Sequence, residues 1–475
     1  MIIVALFNRE GTLKMAGGLM QLISTGSQDQ YLVVAPEMSY FKQVYKRHTN
    51  FSMQSVRVEF QNKFYLDSSE RTFDCEIPRF GDMLKEVMLC IKLPNIYSND
   101  THRFRWIKNF GNYLLREYYV RIGTQEIDHR WGEWMDVWNE LALSYDQKVS
   151  FDTLTGNTQE YMNPKALSPM VTIKNNKISY SYYPASTGPS SPSLTERTVF
   201  IPLDFWFTKN TSLALPIIAL QYQTPTVTIR LRSIDDLYQV WDTDTSMYVS
   251  PARYNSMNPT LQRVSMSTFT KFGGGGSATL YLEGYLECNF IFLDTAERTF
   301  IAATSFDYLV ERVTRIEKTG VKTPDTTNLV LTNPVKELIW FYRRRDANLY
   351  NDWTNFTASQ PEDSLKPPLL KAQFLWNGIA RIDEKPSEYF NILQPHMHHT
   401  STPRQGIYAY SFSLVPEKVQ PSGSFNASVI NTVQLVSSVN DPVQSTLKEY
   451  DLVVYALQYN VFRVNGGSGG MVFNL

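Results

Sequence analysis

Three histidines crowd one stretch of the chain, His396, His398 and His399 in QPHMHHTS. Imidazole is a common zinc ligand, but a site needs such rings to converge with a further carboxylate, thiolate or imidazole. In an extended strand His396 and His398 project to one face and His399 to the other, so the spacing alone builds no ligand set. Asp242 and Asp244 in WDTDTS form an Asp-x-Asp pair of the kind metal–nucleotide sites use. Two carboxylates in a polar stretch are first of all a solvated turn. The run Gly273 to Gly276 could cradle a phosphate, but it continues as SATLYL, into a strand and without a Lys-Ser/Thr pair. A phosphate loop would feed a helix N-terminus. No Ser-His-Asp, Cys-His or paired-carboxylate arrangement stands out. The expectation is a chain with no catalytic residue, no cofactor and no resident metal.

Two basic clusters, Lys46-Arg47-His48 and Arg343-Arg344-Arg345, could meet acidic neighbours or lipid headgroups. A charge run is by default a solvated face. Asparagines of N-x-S/T sequons stand at Asn50, Asn99, Asn210, Asn355 and Asn426. Glycosylation at such a sequon needs lumenal exposure. Asn355 is the best placed of them, because the stretch RRRDANLYNDWTNFTASQPEDSLKPPLL is long and polar. Cys75, Cys90 and Cys288 are too few, and odd in number, for a disulfide framework. Their strand-like surroundings predict buried free thiols and folding in a reducing compartment.

These residues sit on a chain of 475 positions, 43% hydrophobic and 19% charged, with a formal net charge of −1. Near-neutrality argues against a nucleic-acid binder. It suits a protein packed beside many copies of itself, which a large single-sign charge would repel. No stretch reaches the roughly 18 apolar residues of a membrane span. The opening MIIVALF is short and lacks a basic flank, so it is a poor signal peptide. Met15 begins MAGGLMQLISTGSQDQYL, and the text before it reads as an added start.

Strands dominate the pattern. Val227, Ile229 and Leu231 alternate with Thr228, Arg230 and Arg232, and Tyr408, Tyr410, Phe412 and Leu414 alternate with Ala409, Ser411 and Ser413. Leu286, Cys288, Phe290 and Phe292 do the same. Period-two alternation means antiparallel strands with one buried face. Aromatic residues, at 13%, suit such half-buried pleats. Helices are few. One is predicted from Trp131 to Leu143, where Trp131, Trp134, Met135 and Trp138 recur at helical spacing, and one from Ala296 to about Arg312. The order of strands runs twice: LKEVMLCIKLP, TVFIPLDFWF and LYLEGYLECNFIFLD in the first half, VKELIWFYRR, IYAYSFSLV and YDLVVYALQYNVFRV in the second. Long polar insertions rich in Pro, Gly and Ser interrupt both halves, which marks surface features.

Read together, GGLMQLISTGSQDQYL, FKQVYKRHTNFS, IGTQEIDHRWGEWMDVWNEL, FWFTKNTSLALPIIALQY, FLDTAERTF, NPVKELIWF and EYFNILQPHMHHTSTPRQGIYAYSFSLVPEKVQPSGSFNAS resemble the major capsid proteins of nucleocytoplasmic large DNA viruses. The resemblance runs over nearly the whole chain from Met15. It implies an all-β protein of two tandem eight-stranded antiparallel jelly rolls with long loop insertions and a few short helices. It implies an N-terminal arm over 1–30, a first jelly roll over 31–295, and a linking helix with the second jelly roll over 296–475. The implied role is structural: a homotrimeric, pseudo-hexagonal capsomer of an icosahedral shell, in the virion, assembled in the host cytoplasm. The implied partners are neighbouring capsomers, minor capsid or cement proteins, and the internal membrane on the inner face, with no direct nucleic-acid binding. A minor or vertex-associated paralogue of the same fold is the alternative, and a β-sandwich carbohydrate-active protein a more distant one, which would need a cleft with positioned carboxylates. Residues before about Ser24, with Gly17 and Gly18, are expected to lack a fixed fold in an isolated trimer.

Overall fold

A computed structural model describes residues 17–43, 45–98, 102–162, 170–174, 177–181, 192–259, 263–270, 279–443 and 449–473. The glycine run at 273–276, the sequon at Asn99 and the choice between Met1 and Met15 lie outside the described residues.

Residues Met1–Asn50 form one unit and Phe51–Leu475 another. In the first, a helix spans Gly17–Ile23, followed by a 3-10 turn at Ser27–Asp29 and a helical turn at Gln30–Val33. None of these residues is buried. Of the segment expected to have no fixed fold before Ser24, Gly17–Ile23 is helical here and the earlier residues lie outside the described ones. Seven residues without burial fall short of the length at which a helix stands alone in water.

In the second unit, eight strands build a first sandwich: β1 (Phe51–Glu59), β2 (Arg71–Glu76), β3 (Met83–Leu93), β4 (Leu115–Ile122), β5 (Gln125–Trp131), β6 (Arg197–Pro202), β7 (Pro225–Leu231) and β8 (Glu283–Leu293). They form two four-stranded sheets, ordered β1-β8-β3-β6 and β2-β7-β4-β5. Eight more repeat the plan: β9 (Phe306–Val321), β10 (Asp325–Leu329), β11 (Pro334–Arg344), β12 (Leu369–Trp376), β13 (Ile379–Pro386), β14 (Ile407–Ser411), β15 (Val433–Val439) and β16 (Tyr450–Asn465). Their sheets run β9-β16-β11-β14 and β10-β15-β12-β13. The same order with the same crossovers is a jelly roll in each half, all neighbours antiparallel. Strand pairing starts at Phe51, later than the boundary expected at residue 31.

Each sandwich buries its own core. In the first, Val58 faces Leu286 and Val56 faces Cys288 across β1 and β8, so their side chains enter one layer with Leu89 and Val87 of β3. In the second, Leu338, Trp340 and Tyr342 of β11 meet Phe374, Leu435 and Tyr408. All three cysteines are free and buried. Burial pushes the Cys75 thiol up to about 12 and that of Cys90 to about 11, so neither is a reactive thiolate.

Helix α1 (Gly132–Ala142) follows β5, where the tryptophan spacing predicts it. Helix α2 (Thr295–Ala303) joins the sandwiches, and the Asp294 side chain accepts the Thr295 N–H at its start. The helix expected to reach Arg312 is shorter than that. From Phe306 the chain is strand β9, because it finds a partner of equal length in β16, from Phe306 opposite Val464 to Val321 opposite Tyr450. A long antiparallel ladder outweighs the modest helical propensity of the local text.

Candidate functional site

In a chain of two packed sandwiches, the informative place is the seam where they meet. Helix α1 belongs to the first. Its apolar stripe, Trp134, Val137, Trp138 and Leu141, lies on the outer face of the β9-β16-β11-β14 sheet, against Val313, Ile339, Phe341, Ile407, Val453 and Tyr455. Only glycine fits at the helix start. A Cβ on Gly132 would collide with the carbonyl oxygens of Asn112 and Leu115.

Flanking the stripe, Glu133, Asp136 and Glu140 reach arginines of both sandwiches. Glu133 accepts from Arg232 at 2.8 Å and sits 3.1 Å from Arg343 and 3.8 Å from Arg315, with 3% of its side chain exposed. Burial alone would raise the Glu133 carboxyl. The guanidinia of Arg343, Arg232 and Arg315 outweigh it and hold the group well below the usual carboxylate range. Arg404 of the second sandwich donates to Asp136 and, at 3.2 Å, to Glu140. Burial opposes the Arg404 charge, and Asp136 with Glu140 more than offsets it, so its pKa is raised. Lys209 and Lys336 share Glu311 of β9, Lys209 at 3.1 Å.

Backbone and loops extend the seam. Ser401 donates its N–H to Leu141 O at 3.0 Å and its hydroxyl to Leu143 O at 2.6 Å. The β11–β12 connection lies over the first sandwich. There Asn351 Nδ2 donates to Asp235 O (2.6 Å) and Tyr238 O (2.8 Å), and Trp353 Nε1 to Asp236 O (2.9 Å). A last strand, Ser468–Met471, pairs with β16 and sends Met471 into the first sandwich's core. Gln125 and Gln223 of the first sandwich accept the Met471 and Gly469 N–H groups at 3.1 and 3.0 Å. With ion pairs, tryptophans and backbone bonds all crossing it, the seam fixes one relative placement of the two rolls.

The residues singled out in the sequence fall elsewhere. His396 and His398 lie in a helical turn, Gln394–His398, and not in a strand. His399 leaves them and is buried between Glu337 Oε1 (2.6 Å) and Glu417 Oε1 (3.0 Å). Burial works against its proton, and the two carboxylates outweigh burial, lifting its pKa to about 9. Among the described residues, no group of three His, Cys, Asp or Glu side chains is arranged to hold a metal ion. Asp242 does make a turn, accepting the Thr245 N–H at 3.0 Å, but it is buried and not solvated. Arg343 and Arg344 are not a solvated face either, because β11 is a central strand covered on both sides; only Arg345 reaches solvent, beside Glu449. Lys46, Arg47 and His48 are exposed in the N-terminal unit.

Asn355, expected to be exposed, is buried at 2%. Its Nδ2 donates to Ser359 O (3.0 Å) and Gln360 Oε1 (2.9 Å), and its Oδ1 accepts from Thr357. The polar loop folds onto the protein because its side chains satisfy one another. Asn50, Asn210 and Asn426 are exposed.

Sequence reasoning missed the acidic face of α1. The signal was present: Glu133, Asp136 and Glu140 at helical spacing, interleaved with tryptophans that must be buried. Carboxylates flanking such a stripe demand cations from elsewhere in the chain.

The fold and its seam define a double jelly-roll protein. The family described as "Major capsid protein N-terminus" matches residues 39–294, and "Large eukaryotic DNA virus major capsid protein" matches 297–470. The major capsid protein of Phaeocystis pouchetii virus is 30% identical, over 97% of this chain and 100% of the relative. Among solved structures, the PBCV-1 virus capsid has a TM-score of 0.67 at 21% identity, covering 92% of this chain and 100% of that one. The Faustovirus major capsid protein has a TM-score of 0.66 at 12% identity, covering 90% and 93%. The chain belongs to the major capsid protein family of large eukaryotic DNA viruses. It is a component of the virion capsid.

Proposed function

We propose that three copies of this chain close into a pseudo-hexagonal capsomer and that the chain acts structurally, without catalysis or cofactor. The observation carrying this reading is the repeat of one eight-stranded plan within one chain. Two similar wedges taken three times give six around an axis, and six fill a flat facet. Each copy then offers its neighbours two different surfaces, a heterologous contact that closes only by rotation. An obligate contact of this kind buries on the order of 2,000 Å² or more and is largely apolar. The boundary between the rolls is put at 295/296, and helix α2, which lies between β8 and β9, supports it. Neighbouring capsomers, minor capsid or cement proteins and the internal membrane are the further partners, nucleic acid is not one, and assembly takes place in the host cytoplasm.

Light scattering on the purified chain tests this. A mass of three times 54.8 kDa is expected. A monodisperse monomer that stays monomeric on concentrating overturns it. Copy number per virion separates the main shell protein from a vertex-associated paralogue.

A further inference from the structure

Among the described residues, one helix-on-sheet dock joins the two sandwiches, and the two halves of a second are left unmatched. In the first sandwich the connection from β5 to β6 opens with α1, which covers the outer face of the β9-β16-β11-β14 sheet. In the second sandwich the corresponding connection, from β13 to β14, opens with a helical stretch at 389–398, a π-helical turn Tyr389–Leu393 running into Gln394–His398. Topology therefore makes this stretch the counterpart of α1. Trp134 and Val137 of α1 are fully buried, whereas Ile392, Leu393 and Met397 are 50%, 45% and 60% exposed. Ile392 and Leu393 line, with Pro386, Tyr389 and His396, an apolar groove of about 390 Å³.

The other half is the outer face of the β1-β8-β3-β6 sheet. Core side chains on β3 are Val87, Leu89 and Ile91, so Met88 and Cys90 point outward. The register sets Tyr285 and Phe200 on either side of Cys90. Met88, Phe200 and Tyr285 are half-buried. On the covered sheet of the second sandwich, the matching strands set Tyr455 and Ala409 on either side of Ile339, all buried under α1. The two faces thus share a plan of one outward tyrosine on the eighth strand beside an apolar residue on the third. One face is covered by a helix; on the other Cys90 is buried and Arg57 lies over the Tyr285 ring at 3.9 Å, while Met88, Phe200 and Tyr285 stay half-buried.

We propose that the helical stretch 389–398 of one copy docks on the outer β1-β8-β3-β6 face of a second copy, around Met88, Phe200 and Tyr285. This repeats between chains the dock that α1 makes within one. It rests on the trimer reading and assigns its surfaces. In a ring of alternating sandwiches every junction is a helix on a sheet. Half of the junctions lie inside a chain, and the other half need one donated helix and one accepting sheet per copy. Each copy has one of each left over.

The test uses the full chain in two variants, Ile392→Glu with Leu393→Glu, and Met88→Glu with Phe200→Glu. Wild type is expected to sediment as a trimer. Both variants are expected to sediment as monomers, with association weakened by about 100-fold or more. Mixed together, they should give dimers, since each keeps one intact half, and no trimers. Ile379→Glu, on the exposed β13, should remain trimeric. A monomeric wild type overturns the trimer reading itself. A trimeric wild type whose two variants also associate unchanged overturns this assignment alone. Should either variant misfold, peroxide oxidation of the wild type decides: slow oxidation of Met397, 60% exposed in one copy, supports the dock in the trimer, and oxidation as fast as in unfolded chain overturns it.

Discussion

The outer faces of the two sandwiches are built alike and finished differently. The face on β9-β16-β11-β14 is apolar to its centre, and it is ringed by Arg315, Arg343 and Arg404, which meet three carboxylates of α1. Its counterpart on β1-β8-β3-β6 keeps Arg57, Glu86, Glu287 and Lys92 among its apolar residues, in reach of solvent. Buried charges tolerate only one partner geometry, and exposed ones tolerate many. The difference separates a joint made once, inside the chain, from a surface that must stay soluble until something covers it.

Breaking the buried side should have the largest effect. Glu133→Ala leaves Arg232, Arg315 and Arg343 buried around an absent anion, and is expected to cost about 3–5 kcal/mol in denaturant unfolding. A cost below ~1 kcal/mol would mean that water replaces the carboxylate. Trp134→Ala, which empties the centre of the same joint, should cost about 3–5 kcal/mol and lower the melting temperature of the whole chain. Two separate melting transitions would instead mean that the rolls unfold independently.

Protonation probes the joint more gently. His399 is held between Glu337 and Glu417, and its ring meets Trp138 of α1 at 6.1 Å. His129, in the first sandwich, lies between Glu117 and Glu126 and stacks on Trp131 at 4.4 Å. Burial lowers both pKa values and the paired carboxylates raise them further, to about 9. A raised histidine stabilises fully below its unfolded pKa, about 6.5, and loses that contribution as pH climbs through about 9. Melting temperature should therefore fall between pH 7 and 9.5, by an amount equivalent to ~1–3 kcal/mol per histidine. His399→Gln should flatten part of that slope; an unchanged slope in both His399→Gln and His129→Gln would contradict the assignment. The smallest effect belongs to the exposed pair Lys371–Glu384 on β12 and β13, where Glu384→Ala should change stability by about 0–1 kcal/mol.

The double roll was legible in the sequence because strands write themselves as local alternation, as in Val227 to Arg232 and Tyr408 to Ser413, although the faces read there as wetter are covered too, with Thr228, Arg232 and Ala409 buried. Helix α1 was legible for the same reason, in its tryptophan spacing. The seam was not, because its partners are far apart in sequence: Glu133 with Arg232 and Arg343, Asp136 with Arg404. Local composition misled wherever a distant element supplied the partner. Arg343 and Arg344 read as a solvated run and are covered. Asn355 reads as part of a long polar loop and is packed away. Residues after Phe306 read as helix and are drawn into the ladder with β16.

Met471 has a consequence for the order of events on the ribosome. Domains generally fold as they emerge, N-terminal first. Here the core beside Leu220 of the first sandwich is completed only when Phe462 of β16 and the Ser468–Met471 strand arrive, after the rest of the second sandwich has been translated. A nascent chain that has made all of β1 to β8 still lacks part of its core and the strand that straps one roll to the other. Completion of the first core is thereby tied to synthesis of the Ser468–Met471 strand, and a chain stalled in the second roll is left with an open first one.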